Sequence, residues 1–427
     1  PHFVAVAETN AWSWQATSFA ENKLGEFINE VYGGGIELTV TPKDGGKYFV
    51  WTAQDGRKAF ALVQGSVIYF GNDESSIEKC QAVKRGEIDS IAKNPKITGG
   101  ERLAFGYISP DGVAQIANIA GISMAMSASE DGEVKSFIAR VLPEILRNSV
   151  SEITWAASVD QGKRMRDEYS VILKPEAAKS FSQNVVPGND ADTDSGRFLP
   201  IEFVSTTRYN IKDPQAAWKS VVQLAQSNTD EISGKLIGTF AGSLFEPYAV
   251  EDPDLFLRAG GNVFHTATFD AEGDDVVVIA RIRDLGMLKK AVAKEINFAK
   301  PPEVVYGAEV WRSGDGEIAL ATIENRMILG DAASVAKCLK ARNDGNNLET
   351  RSTGSRLGDA TAPISTLGND TDQPARLVEV LGERKAELTP LAQTYLTETS
   401  FDHIGIKRVT TSDFGLIGTI IAQFKSE

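Results

Sequence analysis

The side chains that most often carry catalysis or bind metals are sparse in this chain and lie far apart in sequence. Its three histidines are His2, His265 and His403, and they fall in unlike predicted elements. A metal or triad site built on histidine needs several ligating or proton-carrying groups to converge. We therefore predict that the histidines are structural or surface residues and expect neither a catalytic centre nor a metal site built on them.

An acidic stretch, DADTDSG at 190–196, has the alternating carboxylates of a calcium-binding loop in Asp190, Asp192 and Asp194. Its glycine comes one residue later than an EF-hand loop requires. Ile201 occupies the twelfth position, where that loop has a bidentate glutamate. The spacing favours a solvated acidic linker over a calcium site.

Glycine-rich stretches at 32–37, 44–49 and 258–264 match neither the dinucleotide-binding nor the phosphate-loop pattern. We predict that they are turns, and no cofactor is expected. The chain also has no nucleophile-elbow or HExxH motif. The motifs therefore favour a protein without catalytic activity, although an enzyme built on carboxylates and lysines stays open because such residues are abundant in an acidic chain.

Two apolar features could instead form a surface for a partner or a ligand. Small and apolar residues fill 111–129, and two tryptophans lie beside the first predicted helix. The residues proposed for such a surface are Trp12, Trp14, Ile116, Ile119, Ile122, Met124 and Met126. Apolar residues at helical spacing also suit a buried helix, so both interpretations stay open.

Charge and hydropathy exclude two classes of partner. The formal net charge of −14 leaves no large basic surface for phosphates, so nucleic acid is not expected as a partner. No apolar run approaches the roughly 18 residues that a membrane span needs. The longest candidate, GLIGTIIAQF at 415–424, has the length of a strand. The chain begins with Pro-His, and we expect an upstream segment that carried a signal or an anchor.

The chain repeats one sequence pattern in its two halves. Residues 50–57 read VWTAQDGR and residues 310–317 read VWRSGDGE. Asp-Gly favours a tight turn, because glycine accepts positive φ and aspartate hydrogen-bonds its own backbone. The matching residues are Val50, Trp51, Asp55, Gly56, Ala59 and Ala61 in one copy and Val310, Trp311, Asp315, Gly316, Ala319 and Ala321 in the other. Each copy is predicted to form three short antiparallel strands.

A helix is predicted after the third strand of each copy. Its start is marked by side chains that can accept hydrogen bonds from a first helical turn: Asn72, Asp73 and Ser75, and in the second copy Asp331 and Ser334. Both copies also predict a strand and a helix upstream, at 3–33 and 275–296, and a helix and a hairpin downstream. This shared order predicts an α+β fold of two similar repeated units, with mainly antiparallel sheets packed against helices.

The repeat also places the two cysteines, Cys80 and Cys338, at equivalent positions of these helices. A disulfide between them would require the equivalent helices of both copies to touch, whereas a small buried core residue needs no special geometry. We predict that both thiols are unpaired and mostly buried.

The repeat sets the predicted domain boundaries. Residues 1–183 form the first α+β unit, 184–197 a polar linker and 198–427 the second unit. The second unit opens with a strand, a helix and a connecting region for which the first unit has no counterpart. By the logic of the repeat, we expect roughly 75 further residues before Pro1.

The segments AWSWQATSFAENKLGEFINEVYG at 11–33 and DGRKAFALVQGSVIYFGNDESSIEKC at 55–80, followed by a second copy, resemble a family of bacterial envelope proteins. That family is known only as a domain of unknown function. The resemblance implies a signal peptide or N-terminal anchor, an extracytoplasmic location in the periplasm or at the cell surface, and a partner in the envelope. It implies no reaction, ligand or cofactor.

Two further hypotheses about function follow. The first is a non-catalytic structural or interaction protein of the bacterial envelope that docks on a protein partner. The second is a carrier for a hydrophobic small molecule, because antiparallel sheets backed by helices can enclose an apolar cavity. A lined cavity in the structure would favour the carrier.

Overall fold

The computed structural model describes residues 2–90, 93, 102–127, 133–190, 194–271, 273–292, 296–350, 352–369, 377 and 394–422. The chain divides into two compact units, an N-terminal unit of residues 1–100 and a C-terminal unit of residues 101–427. Helices accompany two mainly antiparallel sheets, of 5 and 13 strands, which confirms the α+β class.

The N-terminal unit is a five-stranded sheet with helices on both faces. Its strands are β1 (Val4–Glu8), β2 (Glu37–Lys43), β3 (Gly46–Thr52), β4 (Lys58–Gln64) and β5 (Val67–Gly71). Its helices are α1 (Ser13–Phe19), a π-helical turn (Ala20–Leu24), α2 (Gly25–Tyr32) and α3 (Glu74–Lys84). The strand order is β1-β5-β4-β3-β2. One core packs Phe49 and Trp51 against α1 and α2, and the other packs Tyr48 and Leu62 towards Ile77 of α3.

The C-terminal unit is built on the 13-stranded sheet. Its strands are β6 (Ala104–Ile108), β7 (Val150–Val159), β8 (Met165–Leu173), β9 (Ser205–Asn210), β10 (Gly260–Thr268), β11 (Val276–Ile282), β12 (Glu303–Val305), β13 (Ala308–Arg312), β14 (Ile318–Ile323), β15 (Arg326–Asp331), β16 (Ile364–Asn369), β17 (Thr394–Phe401) and β18 (Gly405–Ser412). The order across the sheet is β12-β13-β14-β15-β11-β10-β9-β16-β17-β18-β8-β7-β6.

Helices cover both faces of this sheet around β11. The helices of the C-terminal unit are α4 (Pro110–Ser127), α5 (Glu133–Ser149), α6 (Pro175–Asn184), α7 (Pro214–Ser227), α8 (Glu231–Phe240), α9 (Pro253–Ala259), α10 (Leu285–Ala291), α11 (Ala332–Asp344), α12 (Ser352–Gly358) and α13 (Gly415–Ala422). Short 3₁₀ helices span Asp194–Phe198, Ala241–Tyr248 and Leu348–Thr350. Val276–Ala280 of β11 is buried without interruption, because one core lies on each side of the strand.

The predicted hairpins and helix starts are confirmed in both halves. Gly56 and Gly316 of the Asp-Gly turns have φ of 85° and 83°, in the left-handed region that glycine accepts. Asp73 accepts a hydrogen bond from the Ser76 amide at 2.9 Å, and Asp331 accepts one from the Ser334 amide at 2.7 Å. These aspartates cap α3 and α11 as the sequence predicts.

The structure differs from the prediction for the apolar run 415–424. That run was expected to have the length of a strand, but Gly415–Ala422 forms helix α13. β18 ends at Ser412, and Gly415 then turns the chain at φ 62°. None of the described helices is long and apolar enough to cross a membrane.

The two compact units are separated at residue 100, whereas the boundaries predicted from the repeated sequence pattern lie at residues 183 and 198. β7 and β8, which the repeat assigns to the first copy, belong to the large sheet because β8 pairs with β18. Within the predicted linker 184–197, Ser195 is fully buried in the 3₁₀ helix that ends at Phe198. This part of the segment is therefore packed within the C-terminal unit.

Candidate functional site: an apolar cavity

The surface residues proposed from the sequence lie on two different helices. Trp12 and Trp14 are 74% and 69% exposed at the start of α1, in the N-terminal unit. Ile116 and Ile119 are about half exposed on α4, in the C-terminal unit. Val113 and Ala117 form the buried side of α4.

The other three proposed residues, Ile122, Met124 and Met126, also belong to α4. Their side chains lie outside the described part of the chain, so the prediction of a continuous surface on α4 rests on Ile116 and Ile119 alone.

The acidic stretch contacts arginines. Asp190 lies 3.6 Å from Arg281, and Asp194 lies 3.4 Å from the buried Arg326. Asp192 falls outside the described residues. Among the residues that the structure describes, no group of three or more histidine, cysteine or acidic side chains is arranged to hold a metal ion.

A polar cavity of about 470 Å³ lies beside α13, over β8, β17 and β18. Its buried carboxylate is Asp167, which is only 2% exposed. One oxygen of Asp167 accepts a hydrogen bond from the Trp155 indole at 2.8 Å, and the other accepts one from the Leu416 amide at 2.9 Å. Asp167 therefore holds the start of α13 against the sheet. This structural role explains why the carboxylate of Asp167 is buried.

An apolar cavity of about 420 Å³ lies between the large sheet and the helices that cover it. We call it the Trp218 cavity. Its lining comes from α6, α7, α9, one 3₁₀ helix and five strands: Phe181, Val185, Tyr209, Ile211, Pro214, Ala217, Trp218, Val221, Leu244, Phe245, Tyr248, Phe256, Leu257, Phe264, Thr266, Val278, Ile364 and Phe401. Its volume falls in the range of about 300–1,000 Å³ that is usual for ligand pockets.

Local sequence fixes the helices that form the wall of this cavity. α7 and α9 both begin with Asp-Pro, in which aspartate caps the helix and proline takes its first position. Asp213 accepts a hydrogen bond from the Ala216 amide at 2.9 Å, and Asp252 accepts one from the Leu255 amide at 3.0 Å. These two starts place Trp218 and Phe256 over the sheet.

Aromatic rings form a connected wall. Trp218 meets Phe245 edge-on at 5.0 Å between centroids, and Phe256 lies 6.5 Å from Phe245 and 5.7 Å from Phe264. Phe181, which also lines the cavity, stacks on Phe401 at 5.3 Å. Rings in these arrangements attract each other beyond their burial, so the wall resists collapse into the cavity.

The polar groups of the cavity are the hydroxyls of Tyr209, Tyr248 and Thr266. Burial raises the pKa of both phenols above the ordinary value, because a buried phenolate would lose its hydration. The lining is therefore uncharged at neutral pH.

The sequence prediction missed these residues, although one signal pointed to them. Most of the lining belongs to 198–274, the stretch of the second copy for which the first copy has no counterpart. This stretch contains aromatic residues and both Asp-Pro helix starts. An aromatic segment that falls outside the predicted repeat was therefore the available indication of a site.

Comparison of the chain with protein-family models, with curated proteins and with solved structures finds no match.

Proposed function

We propose that this protein is a non-catalytic carrier or binding protein for a hydrophobic small molecule, which occupies the Trp218 cavity. The observation that carries the proposal is the cavity itself, about 420 Å³ lined almost entirely by apolar and aromatic side chains. Aromatic residues with a few hydroxyls are the usual lining of small-molecule sites. Burial of apolar surface would supply the affinity, at about 25 cal/mol per Å².

The cavity is also accessible. Leu244 and Val221 belong to its lining and are 58% and 38% exposed, so apolar side chains mark its opening to solvent. Ala217 and Phe256, by contrast, are buried at 4% and 2% exposure. A ligand would pass Leu244 and Val221 and rest against the buried residues.

The test is titration with N-phenyl-1-naphthylamine, a neutral dye whose fluorescence rises in apolar surroundings. Val221→Trp should block the opening and weaken dye binding at least tenfold. Gln223→Trp is the matched control, because Gln223 is an exposed residue of the same helix outside the lining. Equal dye binding by the two variants, with unchanged circular dichroism, would exclude the Trp218 cavity as the site.

Docking on a protein partner is a second candidate, supported by the exposed indoles of Trp12 and Trp14. Tryptophan is enriched among the residues that dominate binding energy at protein interfaces. The partner expected from the sequence is another envelope protein. Trp12→Ser with Trp14→Ser should abolish cross-linking to it, whereas Val304→Ser, at a residue 75% exposed in the other unit, should not. Cross-linking that survives in the double variant would contradict this function.

We also infer that the chain contains two copies of one structural unit. The five strands β1 to β5 lie in the order β1-β5-β4-β3-β2, and the five consecutive strands β11 to β15 lie in the order β11-β15-β14-β13-β12. In both sets the first strand of the sequence therefore pairs with the fifth, and the other strands follow in reverse order. Replacing the turn 53–57 by the turn 313–317 tests the equivalence. The midpoint of thermal unfolding should change by only a few degrees, and loss of folding would count against the repeat.

The extracytoplasmic location implied by the family resemblance remains our proposal for where the protein works. Fractionation of cells that express the full gene product tests it, since recovery in the cytoplasmic fraction alone would contradict it.

A further inference from the structure

We propose that the ligand is a single-chain amphiphile with an anionic head group, bound through its head by Lys212, Arg258 and Arg283. This inference rests on the proposed function, because the tail of the same molecule would occupy the Trp218 cavity. It adds the chemical class of the ligand and a second set of binding residues.

A separate cavity of about 390 Å³, here called the basic cavity, adjoins the Trp218 cavity. Its lining is polar and basic: Lys212, Asp213, Pro214, Gln215, Leu257, Arg258, Asn262 and Arg283. Pro214 and Leu257 line both cavities. An apolar and a cationic compartment thus meet at Pro214 and Leu257, so a molecule with one apolar and one anionic end could place its tail in one and its head in the other.

The lining of the basic cavity is positively charged, although the chain as a whole is negatively charged. The whole chain carries −14, whereas this lining has three cationic side chains and a single carboxylate, Asp213. That carboxylate already accepts the Ala216 amide as the cap of α7. Arg283 donates to the amide oxygen of Asn262, which orients its guanidinium group within the lining.

The cationic groups are available to a ligand. Lys212, Arg258 and Arg283 are all exposed, and within the described part of the chain none of them forms an ion pair with a carboxylate. Guanidinium groups bind carboxylates and phosphates through paired hydrogen bonds, and lysine adds a point charge. A carboxylate or a phosphate head group would satisfy these donors.

The experiment compares three probes of equal chain length, dodecanoate, dodecyl phosphate and 1-dodecanol, by displacement of N-phenyl-1-naphthylamine. The native protein should bind at least one of the anions about tenfold more tightly than the alcohol. This preference should fall in 0.5 M salt because exposed charges are screened. Preference for dodecanoate alone would identify a carboxylate head group, and preference for dodecyl phosphate alone would identify a phosphate.

The double variant Lys212→Gln with Arg258→Gln should lose the preference for the anion and keep the affinity for dodecanol. Lys235→Gln with Lys290→Gln makes the same change in net charge outside both cavities and should keep the preference. Equal binding of anion and alcohol by the native protein, or a preference that survives in Lys212→Gln with Arg258→Gln, would overturn the inference while the carrier function stands. If the dye bound but none of the probes displaced it, the inference would also be overturned, whereas failure of the dye itself to bind would count against the carrier function.

Discussion

The indole ring of Trp218 lies edge-on to the phenyl ring of Phe245, with centroids 5.0 Å apart and an angle of 76° between the ring planes. This pair joins α7 to the 3₁₀ helix Ala241–Tyr248 across the wall of the Trp218 cavity. Because Phe245 also contacts Phe256 of α9, one ring connects three helical segments. The shape of the cavity therefore depends on Phe245 more than on its exposed neighbours.

Phe245→Ala should lower the free energy of unfolding by about 2 kcal/mol, less than the values typical of fully buried phenylalanine because Phe245 is half-buried. The variant loses the contacts with Trp218 and Phe256 and enlarges the cavity. Urea unfolding followed by circular dichroism measures the change. Leu244→Ala, at the neighbouring residue with 58% exposure, should cost much less, and an equal loss in both variants would contradict this role of Phe245.

Much of the α+β fold could be predicted because its signals are local. The Asp-Gly turns at 55–56 and 315–316 demand positive φ at glycine, and Asp73 and Asp331 cap helices within their own turn. Each of these interactions joins residues a few positions apart. A sequence pattern can therefore specify them without knowledge of tertiary packing.

The cavity and the large sheet could not be predicted in the same way, because both depend on distant contacts. β8 and β18 are adjacent strands although more than 200 residues separate them in sequence. Phe181 and Phe401, which stack on each other in the lining of the cavity, are also more than 200 residues apart. Hydrophobic periodicity indicates that such residues are buried, but it does not specify which distant residues they contact.

Tyr209→Phe should reduce the loss of stability at alkaline pH. Burial raises the pKa of Tyr209 above its usual value near 10 in the folded protein. The neutral Tyr209 side chain therefore contributes its full stabilisation of the folded state below its usual pKa. That stabilisation is lost as the pH rises through the raised pKa of the folded protein. Urea unfolding between pH 9 and pH 12 measures the difference, with Tyr306→Phe at an exposed turn as the control. Parallel pH profiles of wild type and Tyr209→Phe would contradict the prediction.

Asp331→Ala should lower the free energy of unfolding by about 1 kcal/mol, the usual cost of losing a helix cap. The Asp331 carboxylate accepts the Ser334 amide at 2.7 Å, and this bond satisfies one of the free donors at the start of α11. Asp331→Asn keeps an oxygen acceptor and should cost much less in urea unfolding. A loss as large for asparagine as for alanine would show that the cap does not stabilise α11.

The two thiols should react with iodoacetamide in a fixed order. Both are free, as the sequence predicts, but Cys80 is half-buried on α3 whereas Cys338 is completely buried on α11. Burial raises the pKa of each thiol and does so more strongly for Cys338, because its thiolate would have no hydration. In the native protein at pH 8, mass spectrometry should therefore show one adduct at Cys80 long before a second appears.

The slow reaction of Cys338 should require opening of the packing between α11 and the sheet, so its rate should rise with added urea below the unfolding midpoint. Cys80→Ser serves as the control, because it should leave only the slow phase. In full denaturant without reductant, the wild type should gain two adducts. A mass lower by two hydrogens with no adduct would reveal a disulfide, and equal native rates at both cysteines would contradict the burial of Cys338.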